Sequence, residues 1–398
     1  MITQSFTSIY KQRGQAILLG MFMLMTAAIS TVLLYNIGQS NNHKTTLVNA
    51  ADASAYSGAI YIARNLNFMA YTNRAMIANH VAVGHFVSYV SWIRYVENTT
   101  KKLRNGLALV PYVSQALASA KKLVTLVKKG TEAFAPVLVN SLDTFNKLLN
   151  GAQTKGRHAV TGVLSVSDFL SVKIMDKVGK SYDPAIRINY KSDLGKKLAI
   201  GVTAQVASDF YSALRYFKSY SPAKDSGRMK KMIESSYAGS RQWIKGNRGW
   251  KLGLVFIKVE KKGKTKHRRK LDWRADDKLT LSVKKGFKWK GKTLGKGKAR
   301  VTQFDSDYIG IHGYYDLSRR GRRAKQSLKV SAYATMPVNS LHLLSTGTTS
   351  KDVERIAALS RAEIFYQRPS HGFKKIKRGE YANLYNPFWQ VRLIENQL

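Results

Sequence analysis

The sequence lacks cysteine altogether and is poor in acidic residues and proline. Its 398 residues include no Cys, 23 Asp and Glu, and 7 Pro. The absence of cysteine excludes disulfides, cysteine-ligated zinc, iron–sulfur clusters and a cysteine nucleophile. The shortage of carboxylates argues against a hydrolase, because acid–base and metal chemistry commonly depend on these groups. Since prolines are few, long helices can run without interruption.

Basic residues dominate what is present. There are 66 Lys and Arg, which gives a formal net charge of +43. A chain with this charge is expected to associate with an anionic partner such as nucleic acid, phospholipid headgroups or an acidic glycan. The hydrophobic fraction of 44% is that of a folded globular protein rather than a disordered one.

The N-terminal region contains a long interval without charge, between Arg13 and His43. Residues 16–37 within it are almost wholly apolar, and a helix of this length crosses a hydrocarbon core of about 30 Å. A secretory signal has a shorter apolar region. The pattern therefore predicts an uncleaved transmembrane helix; the alternative is a buried core helix, which seldom lacks charge for so long.

The flanking charges predict the orientation. Lys11 and Arg13 precede the apolar run without any acid, so the positive-inside rule places the N-terminus in the cytoplasm and the bulk of the chain outside. Residues 75–93 are a second candidate span, because they are free of Lys, Arg, Asp and Glu. Their polar side chains would be costly in lipid: Asn79, His80, His85, Ser88 and Ser91.

After the apolar run, residues 44–95 are predicted to continue as a long helix with one mostly small or apolar face. That face comprises Asp52, Ala55, Ala59, Ile62, Leu66, Met69, Asn73, Met76 and His80. Small residues allow another helix to approach closely. Packing on the protein's own next helices and packing on a partner are both consistent with this pattern.

The fold class expected from these patterns is α+β, with a single N-terminal transmembrane helix that continues into a helical region and is followed by a basic, antiparallel β-rich domain. The predicted segments are 1–14 (cytoplasmic), 15–38 (transmembrane), 39–220 (helical), 221–345 (basic and β-rich) and 346–398 (C-terminal helix and tail). Strands are expected at 252–259, 279–283 and 328–336, Lys/Gly turns at 261–264, 284–286 and 291–297, and a helix near 350–365.

Residues 241–300 concentrate the charge, with 22 Lys and Arg against four acids. A hairpin tip in this region is expected to contact polyanions through Lys261, Lys262, Lys264, Lys266, Arg268, Arg269 and Lys270. Aromatic residues are interleaved with the charges, as in proteins that stack single-stranded bases: Trp243, Trp250, Trp273, Phe287 and Trp289. The alternatives are a solvated tip and an ordinary β-sheet core.

No catalytic, cofactor or metal site is predicted. Residues 286–293 match the phosphate-loop pattern G-x-x-x-x-G-K-T, but glycines follow instead of a helix, which favours a chance match in a Lys/Gly-rich hairpin. His80 and His85 are off the i, i+4 spacing of a helical metal pair and are interpreted as packed or capping residues. The sequence thus predicts a protein that is not an enzyme.

Several segments resemble a known family. Gly14 and Gln15 before the apolar helix, and Asp52 and Ala53 in a small-residue motif after it, resemble the TadE/TadG-like proteins of bacterial Tad/Flp (tight adherence) pilus assembly systems. Less extended likenesses lie around Asn73-Arg74, at 362–369 and around Pro387 and Trp389. The resemblance implies a non-enzymatic pilus-assembly or minor pilin-like component, anchored in the inner membrane, whose domain is periplasmic or at the cell surface and whose partners are other pilus-assembly proteins.

One position departs from the pilin pattern. Pilins processed after Gly usually carry Glu at the fifth following position, where this chain has Leu19. We therefore expect residues 1–14 to be retained. The alternative function is a membrane-anchored surface protein that binds DNA or another polyanion through residues 241–300, and it differs from pilus assembly in its steep dependence on salt.

Overall fold

The computed structural model describes residues 13–107, 111–161, 170–190, 208, 217–220, 227–240, 245–268, 272–317, 327–337, 355–368 and 381–395. The architecture is α+β, as predicted, with one long N-terminal apolar helix and antiparallel sheets. Helix α1 spans Arg13–Gly106, a length of about 140 Å at 1.5 Å per residue. Its most apolar window has a mean hydropathy of 2.3 and is wholly unburied. Among the described residues, α1 is long and apolar enough to cross a membrane.

In the described part of the chain, three further helices and one 3₁₀ turn accompany α1. They are α2 (Pro111–Thr161), α3 (Leu170–Tyr182), α4 (Arg228–Gly239) and the 3₁₀ turn Val301–Gln303. Helix α2 runs back along α1, because Glu97 pairs with Lys128 at one end and Asn79 bonds to Asn146 further along.

Ten strands form three antiparallel sheets in the described part of the chain. They are β1 (Arg187–Ile188), β2 (Phe217–Tyr220), β3 (Trp250–Gly253), β4 (Ile257–His267), β5 (Trp273–Lys285), β6 (Lys288–Arg300), β7 (Tyr314–Leu317), β8 (Leu328–Pro337), β9 (Arg355–Tyr366) and β10 (Trp389–Ile394). The strand orders are β1-β8-β9-β10, β2-β7 and β3-β4-β5-β6. The predicted boundaries after residues 220 and 345 each fall between strands that pair, β2 with β7 and β8 with β9.

Both hydrophobic cores are built on α1. The first core joins α1 from Leu47 to Met69 with α3 and the sheet β1-β8-β9-β10. The second joins α1 from Met76 to Val90 with β5, β6 and α4. One continuous helix therefore carries the whole folded domain along its length.

The predicted small-residue face of α1 is buried, apart from Asp52, which is half-buried. Of the two alternatives for its partner, the structure shows packing within the chain itself. The contacts are with strands as well as with the following helices α2 and α3: Gln153 of α2 bonds to Asn73, and Met175 of α3 fills the space beside Gly58. This face is therefore not available to another protein.

The alternative second span at 75–93 is wrong. Val83, Val87 and Val90 of this segment are fully buried in the second core. Its polar groups also find partners there, since Ser91 donates a hydrogen bond to the Asp277 carboxylate. The segment is enclosed by protein and cannot face lipid.

Two of the three predicted turns are wrong, because residues 261–264 lie inside β4 and residues 291–297 inside β6. The glycines that suggested a turn at 291–297 instead let β6 approach α1: a Cβ on Gly297 would overlap the Ser91 carbonyl oxygen, and one on Gly295 would overlap Thr99. The turn at 284–286 is confirmed, with Gly286 at φ +61° between β5 and β6.

The helix predicted near 350–365 is also wrong, since residues 355–366 form β9. Alternate residues of β9, from Ile356 and Ala358 to Ala362 and Ile364, pack on the first core. This spacing of two is that of a strand with one buried face. The neighbouring β8 and β10 supply hydrogen bonds on both edges.

Candidate interaction surfaces

Strand alternation divides the predicted polyanion-contact residues between two environments. Lys262, Lys264 and Lys266 point away from α1 and are exposed, whereas Lys261 points toward α1 and is 8% exposed. The prediction that Lys261 lies on a solvated tip is therefore wrong. Arg268 is exposed just beyond the end of β4. Arg269 and Lys270 lie outside the described residues.

Lys261 belongs to a buried charge cluster around Asp277. The Asp277 carboxylate accepts hydrogen bonds of 2.9 and 2.8 Å from the Arg248 guanidinium and one of 2.7 Å from the Ser91 hydroxyl. Lys261 Nζ lies 3.8 Å from Asp277 Oδ1 and 4.8 Å from the centre of the Tyr95 ring. Burial lowers the pKa of Lys261, while Asp277 opposes the shift. This lysine holds the sheet to α1 and does not present its charge to a ligand.

The outer face of the sheet carries cations in register across three strands. Lys262 of β4 is opposite Lys278 of β5, which is opposite Lys296 of β6. A second row of three cations consists of Lys266, Arg274 and Arg300. Like charges directly opposite one another destabilise a sheet unless an anion compensates them. The two rows are four residues apart along each strand, about 13 Å, and the row between them consists of Lys264, Asp276 and Lys298. Asp276 pairs with Arg274, and Glu260 lies 3.5 Å from Lys262, so the surface is predominantly but not uniformly positive.

The expected aromatic platform is present only in part. Trp250, Phe287 and Trp289 are exposed, but Trp273 is almost fully buried in the second core. Trp273 packs against Gly84 of α1, and its indole N–H donates to the His80 carbonyl. Trp273 is thus a core residue, and Trp243 lies outside the described residues.

Helix α2 has an unusual polarity, because it buries polar side chains and exposes apolar ones. Asp143, Asn146 and Gln153 face inward and are almost fully buried. Asn146 donates to the Gly310 carbonyl, and Gln153 bonds to Asn73. We call the outward-facing apolar set the α2 stripe: Leu123, Leu126, Phe134, Val137, Phe145 and Leu148. Its successive spacings of three and eight residues place it on one side of the helix.

The family-motif residues fall into two groups. Asn73 is buried and donates hydrogen bonds to the Tyr315 and Leu384 carbonyls. Trp389 is buried, and its backbone exchanges two hydrogen bonds of 3.1 Å with the Asn67 side chain. These contacts tie α1 to segments more than 240 residues away in sequence. The remaining motif positions are Gly14 and Gln15 in the first turn of α1, the half-buried Asp52, Ala53 and Pro387, and the exposed Arg74.

His80 and His85 are packed, as predicted. His80 is fully buried, with Nδ1 2.6 Å from the Tyr308 hydroxyl and Nε2 3.0 Å from His267 Nε2. Desolvation lowers the pKa of His80 well below its usual value, with a smaller contribution from His267, and burial lowers the pKa of His267 to about 4. His85 bonds to the Ser240 hydroxyl.

The phosphate-loop match forms the β5–β6 hairpin and the start of β6, so no helix begins at its lysine. Within the described ranges, no three His, Asp or Glu side chains converge to hold a metal ion.

No protein-family model, curated protein or solved structure matches this chain.

Sequence reasoning missed two of these surfaces. The apolar spacing along 123–148 is visible in the sequence, but a single helix gives no indication of which side its neighbour covers. The cation rows depend on the pairing of three strands, of which β4 and β5 were predicted only in part and β6 was predicted as a turn. Only a known register places Lys262, Lys278 and Lys296 in line.

Proposed function

We propose that this protein is a non-enzymatic structural component of a Tad/Flp-type pilus assembly system, anchored in the bacterial inner membrane by residues 16–37. In this proposal the remainder of the chain lies in the periplasm or at the cell surface. The observation that carries it is the continuity of α1: the exposed apolar segment and the helix at the centre of both cores are one element. An anchor of this kind fixes the domain rigidly relative to the membrane.

The motif residues support this interpretation. Asn73 and Trp389 hold the C-terminal segments against α1, so the resemblance to TadE/TadG-like proteins coincides with the framework that attaches the domain to its helix. A structural role needs such a framework and no reacting group. The exposed Arg74, beside buried Asn73, is a candidate contact for a partner.

The α2 stripe is the surface that we assign to another helical component of the assembly. The small-residue face of α1 is already covered, whereas the α2 stripe is apolar, exposed and at helical spacing. An apolar helix of a neighbouring subunit would bury it as in other helix-in-groove and helix–helix interfaces.

A linker insertion tests the rigid anchor. A flexible Gly/Ser linker placed after Gln39, between the apolar segment and the first core, should abolish piliation while the domain remains folded, because its orientation is no longer fixed. The same linker appended after Leu398 is the matched control and should be tolerated. Normal piliation with the linker after Gln39 would contradict a rigid structural role.

A triple substitution tests the α2 stripe. The changes Leu126→Ser, Val137→Ser and Leu148→Ser should prevent co-purification with other pilus-assembly proteins without lowering thermal stability, since all three side chains are exposed. The control changes Lys122→Ser, Lys129→Ser and Asn140→Ser lie at exposed positions outside the stripe. Equal co-purification of the two triple variants would refute the assignment.

A second candidate function, binding of DNA or another polyanion, is favoured by the cation rows. Replacing Lys262, Lys278 and Lys296 with Gln should weaken DNA binding and reduce the slope of log K against log salt by about 2 to 3. The control replaces the exposed Lys129, Lys155 and Lys173 on α2 and α3. Affinity that is unchanged by salt would exclude this function. Loss of DNA binding with intact piliation would separate it from assembly.

A further inference from the structure

The far end of the sheet β3-β4-β5-β6 carries a second exposed apolar surface, formed by two adjacent hairpin turns. At the β3–β4 turn, Leu254, Val255 and Phe256 are 75, 74 and 65% exposed. At the β5–β6 turn, Phe287 is fully exposed. The Phe256 carbonyl accepts a hydrogen bond from the Lys284 backbone N–H, so the two turns lie side by side. We call this surface the hairpin tip.

Lysines surround the hairpin tip, and acids are absent from its sequence. Residues 250–258 and 281–292 contain no Asp or Glu, although Glu260, just behind them, lies 3.5 Å from Lys251 and 3.9 Å from Lys258. Their lysines are Lys251, Lys258, Lys284, Lys285, Lys288, Lys290 and Lys292. Trp289 stands just behind the β5–β6 turn and is about half exposed, whereas Trp250 pairs with Lys261, about 20 Å further back along the sheet. A protein that inserts into the interface of an anionic bilayer presents apolar side chains in front, aromatic side chains behind them and cations around both. The hairpin tip has this arrangement.

The hairpin tip lies at the end of the molecule away from the apolar segment of α1. Three contacts show how the sheet is oriented along α1. The Trp273 indole N–H donates to the His80 carbonyl, Gly297 packs against Ser91, and Lys102 Nζ donates to the Thr293 carbonyl. The first residue of β6, Lys288, therefore lies further from the apolar segment of α1 than Lys102 does. The rise of 1.5 Å per residue puts Lys102 about 100 Å along the helix from residue 37. The tip cannot dip into the membrane that holds the N-terminal helix while α1 stands upright.

We propose that the hairpin tip binds the surface of a second, anionic phospholipid membrane, so that the protein bridges two bilayers. Leu254, Val255, Phe256 and Phe287 enter the interface, and the lysine collar contacts the lipid phosphates. A nucleic acid would use the cations but leave four apolar side chains in water. A second copy of this chain would bring two lysine collars together. The charge and the apolar turns together favour lipid. The tip surface is independent of the proposed function, and only the bridging depends on the membrane span.

The test uses the full chain inserted in nanodiscs of neutral phosphatidylcholine. The nanodiscs are mixed with vesicles that contain phosphatidylglycerol, or with vesicles of phosphatidylcholine alone, and bound protein is measured by flotation. Binding is expected to the anionic vesicles only, with a blue shift of tryptophan fluorescence and quenching by brominated lipid as Trp289 reaches the interface. Failure of the chain to enter the nanodisc would contradict the proposed span. A chain that enters but does not bind anionic vesicles would overturn the tip surface.

Two triple variants distinguish the contribution of the apolar side chains to vesicle binding from that of the lysines. Val255→Ser, Phe256→Ser and Phe287→Ser should together weaken vesicle binding about tenfold or more. Lys284→Gln, Lys285→Gln and Lys288→Gln should weaken it about a hundredfold, because each lysine near an anionic surface contributes about 1 kcal/mol, or about a fivefold factor. All six side chains are exposed, so the fold is retained.

The matched control removes equal charge elsewhere on the same sheet. The row Lys262, Lys278 and Lys296 lies about 25 Å along β5 from the turn, which exceeds the screening length of about 8 Å at physiological salt. Its Gln variant should change vesicle binding less than about twofold. Equal losses in the row variant and the tip variants, or unchanged binding by the Ser variant, would refute the proposal. Binding between nanodiscs in the absence of vesicles would identify a second copy as the occupant instead.

Discussion

The buried cluster around Asp277 gives the sharpest prediction about stability. We consider the change Asp277→Asn, which preserves the size of the side chain and removes its charge. Asp277 is 1% exposed and accepts two hydrogen bonds from Arg248. The side chains of Arg248 and Lys261 are themselves only 5 and 9% exposed. In the variant, both cations would stay buried without an anion.

The magnitude follows from this enclosure. Removing one partner of a buried ion pair typically costs about 3–5 kcal/mol, most of it the desolvation of the charge left behind. We expect a loss of this size in the free energy of unfolding, which corresponds to a fall in melting temperature of roughly 5–15 °C. Thermal and urea unfolding followed by circular dichroism would measure it.

The adjacent residue provides the control. Asp276 pairs with Arg274 at 3.1 Å, but its side chain is 45% exposed. An exposed ion pair contributes about 0–1 kcal/mol, so Asp276→Asn should leave the melting temperature nearly unchanged. Equal effects of the two substitutions would refute the reasoning, because the two acids differ mainly in the face of β5 on which they lie.

Three further predictions concern other parts of the chain. Asn73→Ala should destabilise the protein by about 1–3 kcal/mol through its lost buried hydrogen bonds, whereas Arg74→Ala should not; similar melting curves for both would disprove a structural role for Asn73. Burial holds the pKa of His80 and His267 below the ordinary value of 6.5, and that of His267 lies at about 4. Just below pH 6.5 these two histidines therefore gain protons only in the unfolded chain, so the free energy of unfolding should fall as pH drops from 6.5 toward 4. A free energy of unfolding that does not change with pH in urea experiments would contradict this. Intact-mass measurement of membrane-extracted protein should find residues 1–14 retained, and a start at residue 15 would indicate processing.

Local patterns in the sequence determined the parts of the structure that depend on local chemistry. The charge-free run at 16–37 and the face that follows it specify one long helix, because the spacing of apolar residues is set by the helical period. Gly286, flanked by strand-like residues, specifies a hairpin turn because it adopts positive φ without strain. The overall α+β class follows from these two signals.

Tertiary structure decided which side of each element is covered. Lys261 and Lys262 are neighbours in a run of cations, yet one is buried against Tyr95 and the other is 74% exposed. Strand alternation makes such a difference unavoidable, but the sequence does not state which face meets α1. Likewise, β9 is a strand because β8 and β10 lie on either side of it, and these partners are distant in the chain.

The candidate surfaces depend on the same long-range information. The α2 stripe is a surface only because α1 accepts the polar side of α2 through Asn73 and Asn79. The hairpin tip is a surface only because two turns, about 30 residues apart, are brought side by side by the pairing of β4 with β5. Local periodicity sets the shape of an element, whereas exposure is set by the residues that pack against it from elsewhere in the chain.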